Sequence, residues 1–177
     1  MTALSYDFRN RSEKIAVEER RRLGVSAYDP LSGDALAAAH GVKIVSVDEL
    51  FAHDSALQEA FRQRPFWGCL MQLPDVAPLI VLHPDQSPAR RESTLMHEIA
   101  HFLLKHSGSS LAALIAGNAR NKAQEAEAAY LGGCLQLPRT ALKWAFQAGL
   151  SVPRVAARFG ASESMVTFRC RMTGFQL

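Results

Sequence analysis

The stretch His97-Glu98-Ile99-Ala100-His101 constrains this chain more than any other, because two imidazoles four residues apart can act together only if the segment is a helix. A four-residue step turns an α-helix through about 400° and climbs about 6 Å, so both rings leave nearly one face and can grip one ion. The flanking residues agree. Leu95, Ile99, Phe102 and Leu103 make an apolar stripe, and Ser93 or Thr94 is placed to cap the helix start. Glu98 would stand beside the open position of the ion, where a carboxylate can take a proton from a bound water whose pKa the ion lowers to roughly 7. With 6 His and 10 Glu in 177 residues, the pentapeptide arises by chance in about one such chain in a hundred. Its context therefore decides between a metal site and a surface helix that carries two histidines.

Two imidazoles leave a zinc ion two positions short, and a hydrolase keeps one of these for water, so a third protein ligand is needed. Residues 124–137 read as an amphipathic helix closed by Pro138, with Glu127, Tyr130, Leu131 and Cys134 along one side. Glu127 heads that side. Glu125 lies about 200° away around the helix and would face solvent if Glu127 faces the core. Cys134 shares the face of Glu127 but stands about 10 Å further along, too far to bind the same ion.

The blocks Thr94-Leu-Met-His-Glu-Ile-Ala-His-Phe-Leu-Leu104 and Glu125-Ala-Glu-Ala-Ala-Tyr-Leu-Gly-Gly-Cys-Leu-Gln-Leu-Pro138 resemble the ImmA/IrrE family of bacterial and phage metallo-endopeptidases. In that family the second block typically reads Glu-Ala-Asn, a Phe-Ala pair, then Leu-Leu-Met-Pro, and its Glu is the third metal ligand. Counting back from Pro138 gives that role to Glu127. The apolar run at 79–82, the polar loop with Arg90 and Arg91, an early helix and the turn at Gly41-Val42 also look like the family's. The likeness is close over residues 5–140 and loose beyond.

The resemblance implies an α+β fold, a mostly helical, zincin-like minimal metallopeptidase domain with a small antiparallel sheet of about three strands before the catalytic helix. It implies His97, His101 and Glu127 as ligands, Glu98 as general base, and a specific cytoplasmic protein substrate, a helix-turn-helix transcriptional repressor. Zinc is the expected ion, although two histidines and a carboxylate also accept manganese. Three departures bear on detail. Ala129 stands where the family usually has Asn, Leu131 and Leu137 replace Phe and Met, and His83 ends a strand where relatives often have Asn. None of them touches the inferred ligands or the base.

At 48% hydrophobic, 177 residues can bury one core with a small appendage. The division expected is a metallopeptidase-like domain at 1–138 and a helical subdomain at 139–177. The longest apolar stretches, 79–82 and 111–117, fall far short of the roughly 18 residues of a membrane span. With a polar, arginine-bearing start in place of a signal-peptide core, they point to a cytoplasmic protein. Cys69, Cys134 and Cys170 are odd in number and widely spaced, so they read as reduced and mostly buried.

Along the chain, 8–23, 32–40 and 55–64 read as helices and 42–47 as a strand. Residues 66–73 and 79–83 read as two strands joined by a five-residue turn. A sheet edge beside the catalytic helix could hold an extended substrate as an added strand. The last 39 residues carry six basic side chains against Glu163 alone, a net of +5, whereas residues 23–138 carry 8 against 12, a net of −4. Within this basic tail, 152–159, a turn at 160–162 and 163–172 outline a helix-turn-helix capped by Ser162. Two readings compete: a pair of helices packed on the catalytic domain, or a DNA- or protein-binding module beside a vestigial or structural metal site. Packing is favoured over direct nucleic-acid binding. Tyr130, Arg91 and His83 are the candidates for an oxyanion donor. His106 is off the ligand face by about 140° and is set outside the site.

Overall fold

The computed structural model describes residues 4–64, 66–72, 75–108 and 121–177. Ser5 accepts a hydrogen bond from the Phe8 amide and starts α1, Tyr6–Arg22, which is largely polar and anchored by Phe8, Ser12 and Ala16 at four-residue steps. Ser32 likewise caps α2, Gly33–Ala39, and Gly41 at φ +67° ends it, a conformation that glycine adopts without a side-chain clash. Then follow β1 (Lys43–Ser46), α3 (Val47–Leu50) under a Ser46/Glu49 capping box, and α4 (Ser55–Arg62). Strands β2 (Gly68–Met71) and β3 (Leu79–Leu82) precede α5 (Pro88–Leu103). Beyond the segment 109–120, which lies outside the described residues together with the apolar run at 111–117, come α6 (Lys122–Gln136), α7 (Arg139–Gln147), α8 (Val152–Phe159) and α9 (Glu163–Thr173).

The α+β class and the three-strand sheet agree with the sequence expectation, but the sheet is mixed. Its order is β1-β3-β2, with β2 antiparallel to β3 and β1 parallel to it, Lys43 facing Leu79 and Ser46 facing Leu82. Two helices and a reversed strand lie between β1 and β3, so the chain re-enters the sheet in its original direction. The strands are also shorter than expected, because Val47 turns into α3 and the ladder of β2 stops at Met71. Leu73, the last residue of the expected strand, and Pro74, the first of the expected turn, lie outside the described residues.

The main core lies where α5 crosses the sheet, α2 and α6. Leu36, Ile80, Leu95, Met96, Ile99, Ala100, Leu131 and Leu135 are all buried there. Each large side chain contributes about 1.5–3 kcal/mol. A second cluster of Leu137, Leu142, Val155, Phe159 and Val166 joins α7, α8 and α9. The two C-terminal helices match their expected bounds closely, with Gly160 left-handed at the end of α8 and Ser162 accepting from the Met165 amide. No helix among the described residues is long and apolar enough to cross a membrane.

Candidate metal centre

Helix α5 begins earlier than the spacing of its apolar stripe suggests. Ser87 accepts from the Arg90 amide and Pro88 takes the first turn, where its missing N–H costs nothing. Ser93 and Thr94 are therefore interior residues, bonded to Gln136 and Gln86. Leu95, Met96, Ile99 and Ala100 face the core, leaving His97 and His101 on the flank toward α6 with their Nε2 atoms 3.1 Å apart. Glu98 is buried on the sheet side, where its Oε2 accepts from the Leu70 amide of β2 at 2.8 Å. One amide of the strand expected to receive substrate is thus held by Glu98.

Asn121 caps α6 by accepting from the amides of Ala123 and Gln124, and the helix packs along α5. The two backbones approach closely at Gly132, where a Cβ would sit 3.0 Å from the Met96 carbonyl oxygen and 3.1 Å from His97 Cα. Steps of three and four residues carry this stripe along α6, from Gln136 opposite Ser93, through Gly132 and Ala129 beside His97, to Glu125. Glu125 Oε2 lies 3.2 Å from His97 Nε2, and its Oε1 lies 3.2 Å from His101 Nε2. Tetrahedral bonds of about 2.0–2.1 Å hold ligand atoms roughly 3.3 Å apart, so three separations of 3.1–3.2 Å suit one divalent ion. His97, His101 and Glu125 are the grouping of metal-ligating side chains found among the described residues.

The structure therefore corrects the helix-face argument, since it brings Glu125, and not Glu127, to the two histidines. Burial does not separate the two acids, whose side chains are 32% and 36% exposed. Their partners do. The stripe of α6 that faces α5 is set by Gly132, which puts Glu125 in line, while Glu127 is turned about 200° away onto His106. His106 itself escapes the helical wheel because α5 stops before it. Leu104 ends the helix, Lys105 is left-handed at φ +57°, and the His106 amide returns to the His101 carbonyl at 3.0 Å. The reversal buries the His106 ring against His101, Nδ1 to Nδ1 at 3.0 Å, with its Nε2 3.1 Å from Glu127 Oε2. Burial, opposed by Glu127, holds the His106 pKa below the ordinary imidazole value.

Beside His97 opens a small cleft of about 190 Å³, lined by Ser93, Ala129, Gly132, Gly133, Met165 and Phe168. Its floor is small because Ala129 occupies the Asn position of the family pattern, and α9 supplies one wall. The three candidates for an oxyanion donor have partners elsewhere. Tyr130 packs between Phe8 and the Arg169 guanidinium, Arg91 forms a two-bond pair with Asp34, and His83 lies tilted against Trp67. In the basic tail, Arg169 is buried against Glu13 and the Leu137 carbonyl, and Arg158 spans Asp29, the Tyr28 carbonyl and the Trp144 ring. None of the three cysteines is in a disulfide, and burial raises Cys134 far above its ordinary pKa.

Residues 37–171 match the peptidase family described as the IrrE N-terminal-like domain. No curated protein matches the chain significantly. Among solved structures it is similar in fold to a Mycobacterium tuberculosis transcriptional regulator, at 16% identity and a TM-score of 0.55. That likeness covers 93% of this chain and 47% of the regulator, so the chain spans about half the length of that structure.

Proposed function

We propose, on the premise that the chain belongs to the IrrE N-terminal-like domain family of peptidases, that it is a metal-dependent endopeptidase acting in the cytoplasm on one particular protein, a helix-turn-helix transcriptional repressor. The observation that carries the reading is the set of three ligand-type side chains, His97, His101 and Glu125, with Nε2 and carboxylate atoms 3.1–3.2 Å apart. Two imidazoles and a carboxylate suit zinc and also accept manganese. A divalent ion bound there would polarise the scissile carbonyl and acidify a water to a pKa of roughly 7. Glu98 takes the proton of the attacking water and passes it to the leaving amine, work worth typically 10²–10⁴-fold in rate. Its hydrogen bond from the Leu70 amide fixes the carboxylate in place. The apolar cleft beside His97 accepts a small or medium apolar substrate side chain next to the scissile bond. In this reading residues 1–138 carry the chemistry, and 139–177 wall the cleft through Met165 and Phe168.

The test combines metal content with cleavage. Wild-type protein is expected to hold about one zinc or manganese ion per chain by mass spectrometry, and His101→Ala to lose it. Glu98→Gln is expected to keep the ion and to lose at least about 100-fold in cleavage of a repressor that the wild type cuts. Cleavage by Glu98→Gln at the wild-type rate removes Glu98 as the base. No ion in the wild type after reconstitution removes the peptidase reading.

A further inference from the structure

The geometry points to a supporting chain behind the metal centre, in which Glu127 and His106 act as positioning residues that fix the ring of His101 and the nitrogen it offers to the ion. The inference rests on the proposed metal centre. His101 directs Nε2 toward His97 and Glu125, so its remaining proton sits on Nδ1. At 3.0 Å from that Nδ1 is Nδ1 of His106, which must then accept, so the proton of His106 sits on Nε2. That Nε2–H points to Glu127 Oε2 at 3.1 Å. With both imidazoles neutral and Glu127 accepting, each donor in the series meets an acceptor when His101 carries Nδ1–H, so the chain favours the tautomer that leaves Nε2 bare for a metal. A carboxylate at the far end makes the whole series more electron-rich, which strengthens His101 as a ligand.

The two acids of this helix thereby divide the work. Glu125 meets the imidazole nitrogens directly, whereas Glu127 reaches His101 through one intervening ring. His106 and His101 are both buried, which holds both rings in one orientation.

The experiment is a zinc titration against a chromophoric chelator on the purified full chain, with the visible spectrum of the cobalt-loaded protein as a second readout. Glu127→Ala and His106→Phe are each expected to weaken zinc about 10–100-fold and to alter the cobalt bands. Their double variant is expected to be no weaker than His106→Phe alone, because both residues act through one contact. His106→Asn, whose Oδ1 can take the place of Nδ1, is expected to recover part of the lost affinity and guards against a folding defect in His106→Phe. Glu125→Ala is expected to lose the ion. Affinity within two-fold of wild type in His106→Phe overturns the supporting role, and so do additive losses in the double variant. An ion lost in Glu127→Ala but kept in Glu125→Ala makes Glu127 a direct ligand and also overturns it. A wild type that binds neither zinc nor cobalt sinks the metal centre itself, a failure distinct from these.

Discussion

The two ends of helix α6 bury polar groups in opposite ways. At its C-terminal end the partners are backbone. Arg20 donates to the carbonyls of Leu135 and Gln136 at 3.0 and 3.2 Å, and Arg169 donates to that of Leu137 at 2.9 Å. These are the last carbonyls of a helix, which have no partner within it and carry the negative end of its dipole. The two guanidiniums thus serve folding, and Glu13 balances the deeper one. At the N-terminal end Asn121 already caps the helix amides, so Glu125 and Glu127 are not needed there. They instead meet three imidazoles whose nitrogens converge within 3.0–3.2 Å. Polar groups that answer an orphaned backbone group belong to the fold, and polar groups that answer only one another mark a site.

That contrast is sharpest in stability. Glu13→Ala leaves the fully buried Arg169 without its carboxylate, a change expected to cost about 3–5 kcal/mol. In a chain of this size that corresponds to a fall in melting temperature of roughly 10 °C. Glu125→Ala, measured without metal, is expected to change the unfolding free energy by less than about 1 kcal/mol. Urea denaturation of both variants decides the matter. A metal-free Glu125→Ala as damaged as Glu13→Ala would place the acidic end among the elements that hold the fold together.

A smaller effect is expected midway between the ends. Gly132→Ala puts a methyl 3.0 Å from the Met96 carbonyl oxygen and 3.1 Å from the backbone nitrogen of His97, and neither backbone can yield as a flexible side chain would. Overpacking of this kind costs about 1–3 kcal/mol. Because the helices must separate, Glu125 two turns away moves from the histidines, and zinc affinity is expected to fall at least about ten-fold. A variant that loses stability but keeps its zinc affinity would show that the seam does not place Glu125.

What was legible in the sequence follows the same division between local and distant causes. The pairing of His97 with His101 on one helix face needs only one helical step, and the C-terminal pair needs only Gly160 and Ser162, so both are legible locally. Glu125 and Glu127 are two residues apart, and the choice between them depends on a helix crossing set by Gly132 against Met96 and His97, a contact that no local pattern carries. A helical wheel extended past Leu104 excludes His106, but the chain reverses there at Lys105. Local pattern puts the start of α5 at Ser93 or Thr94 because a serine or threonine before an apolar stripe is a good cap. Ser87 with Pro88 after it is a better one. The parallel pairing of β1 with β3 arises from the intervening excursion and leaves no mark on either strand's own residues.

The smallest effect concerns the basic tail, whose net charge of +5 suggested a nucleic-acid surface. Two of its six cations are already engaged, since Arg169 is buried and the exposed Arg158 is held by Asp29, the Tyr28 carbonyl and the Trp144 ring. An exposed pair such as Arg158 and Asp29 is worth about 0.2–1 kcal/mol, so Arg158→Ala is expected to lower stability by no more than that. It is also expected to leave DNA behaviour unchanged, because phosphate binding needs cations that are free to meet the backbone. The check is a gel shift with duplex DNA at low salt, run on wild type and on Arg154→Ala combined with Arg158→Ala. No shift in either keeps this helical pair a packed wall of the cleft, like the C-terminal end of α6 that it covers. A salt-sensitive shift lost in the double variant would move the tail from the folding side of the comparison to the functional side, and would favour a DNA-binding module over a peptidase appendage.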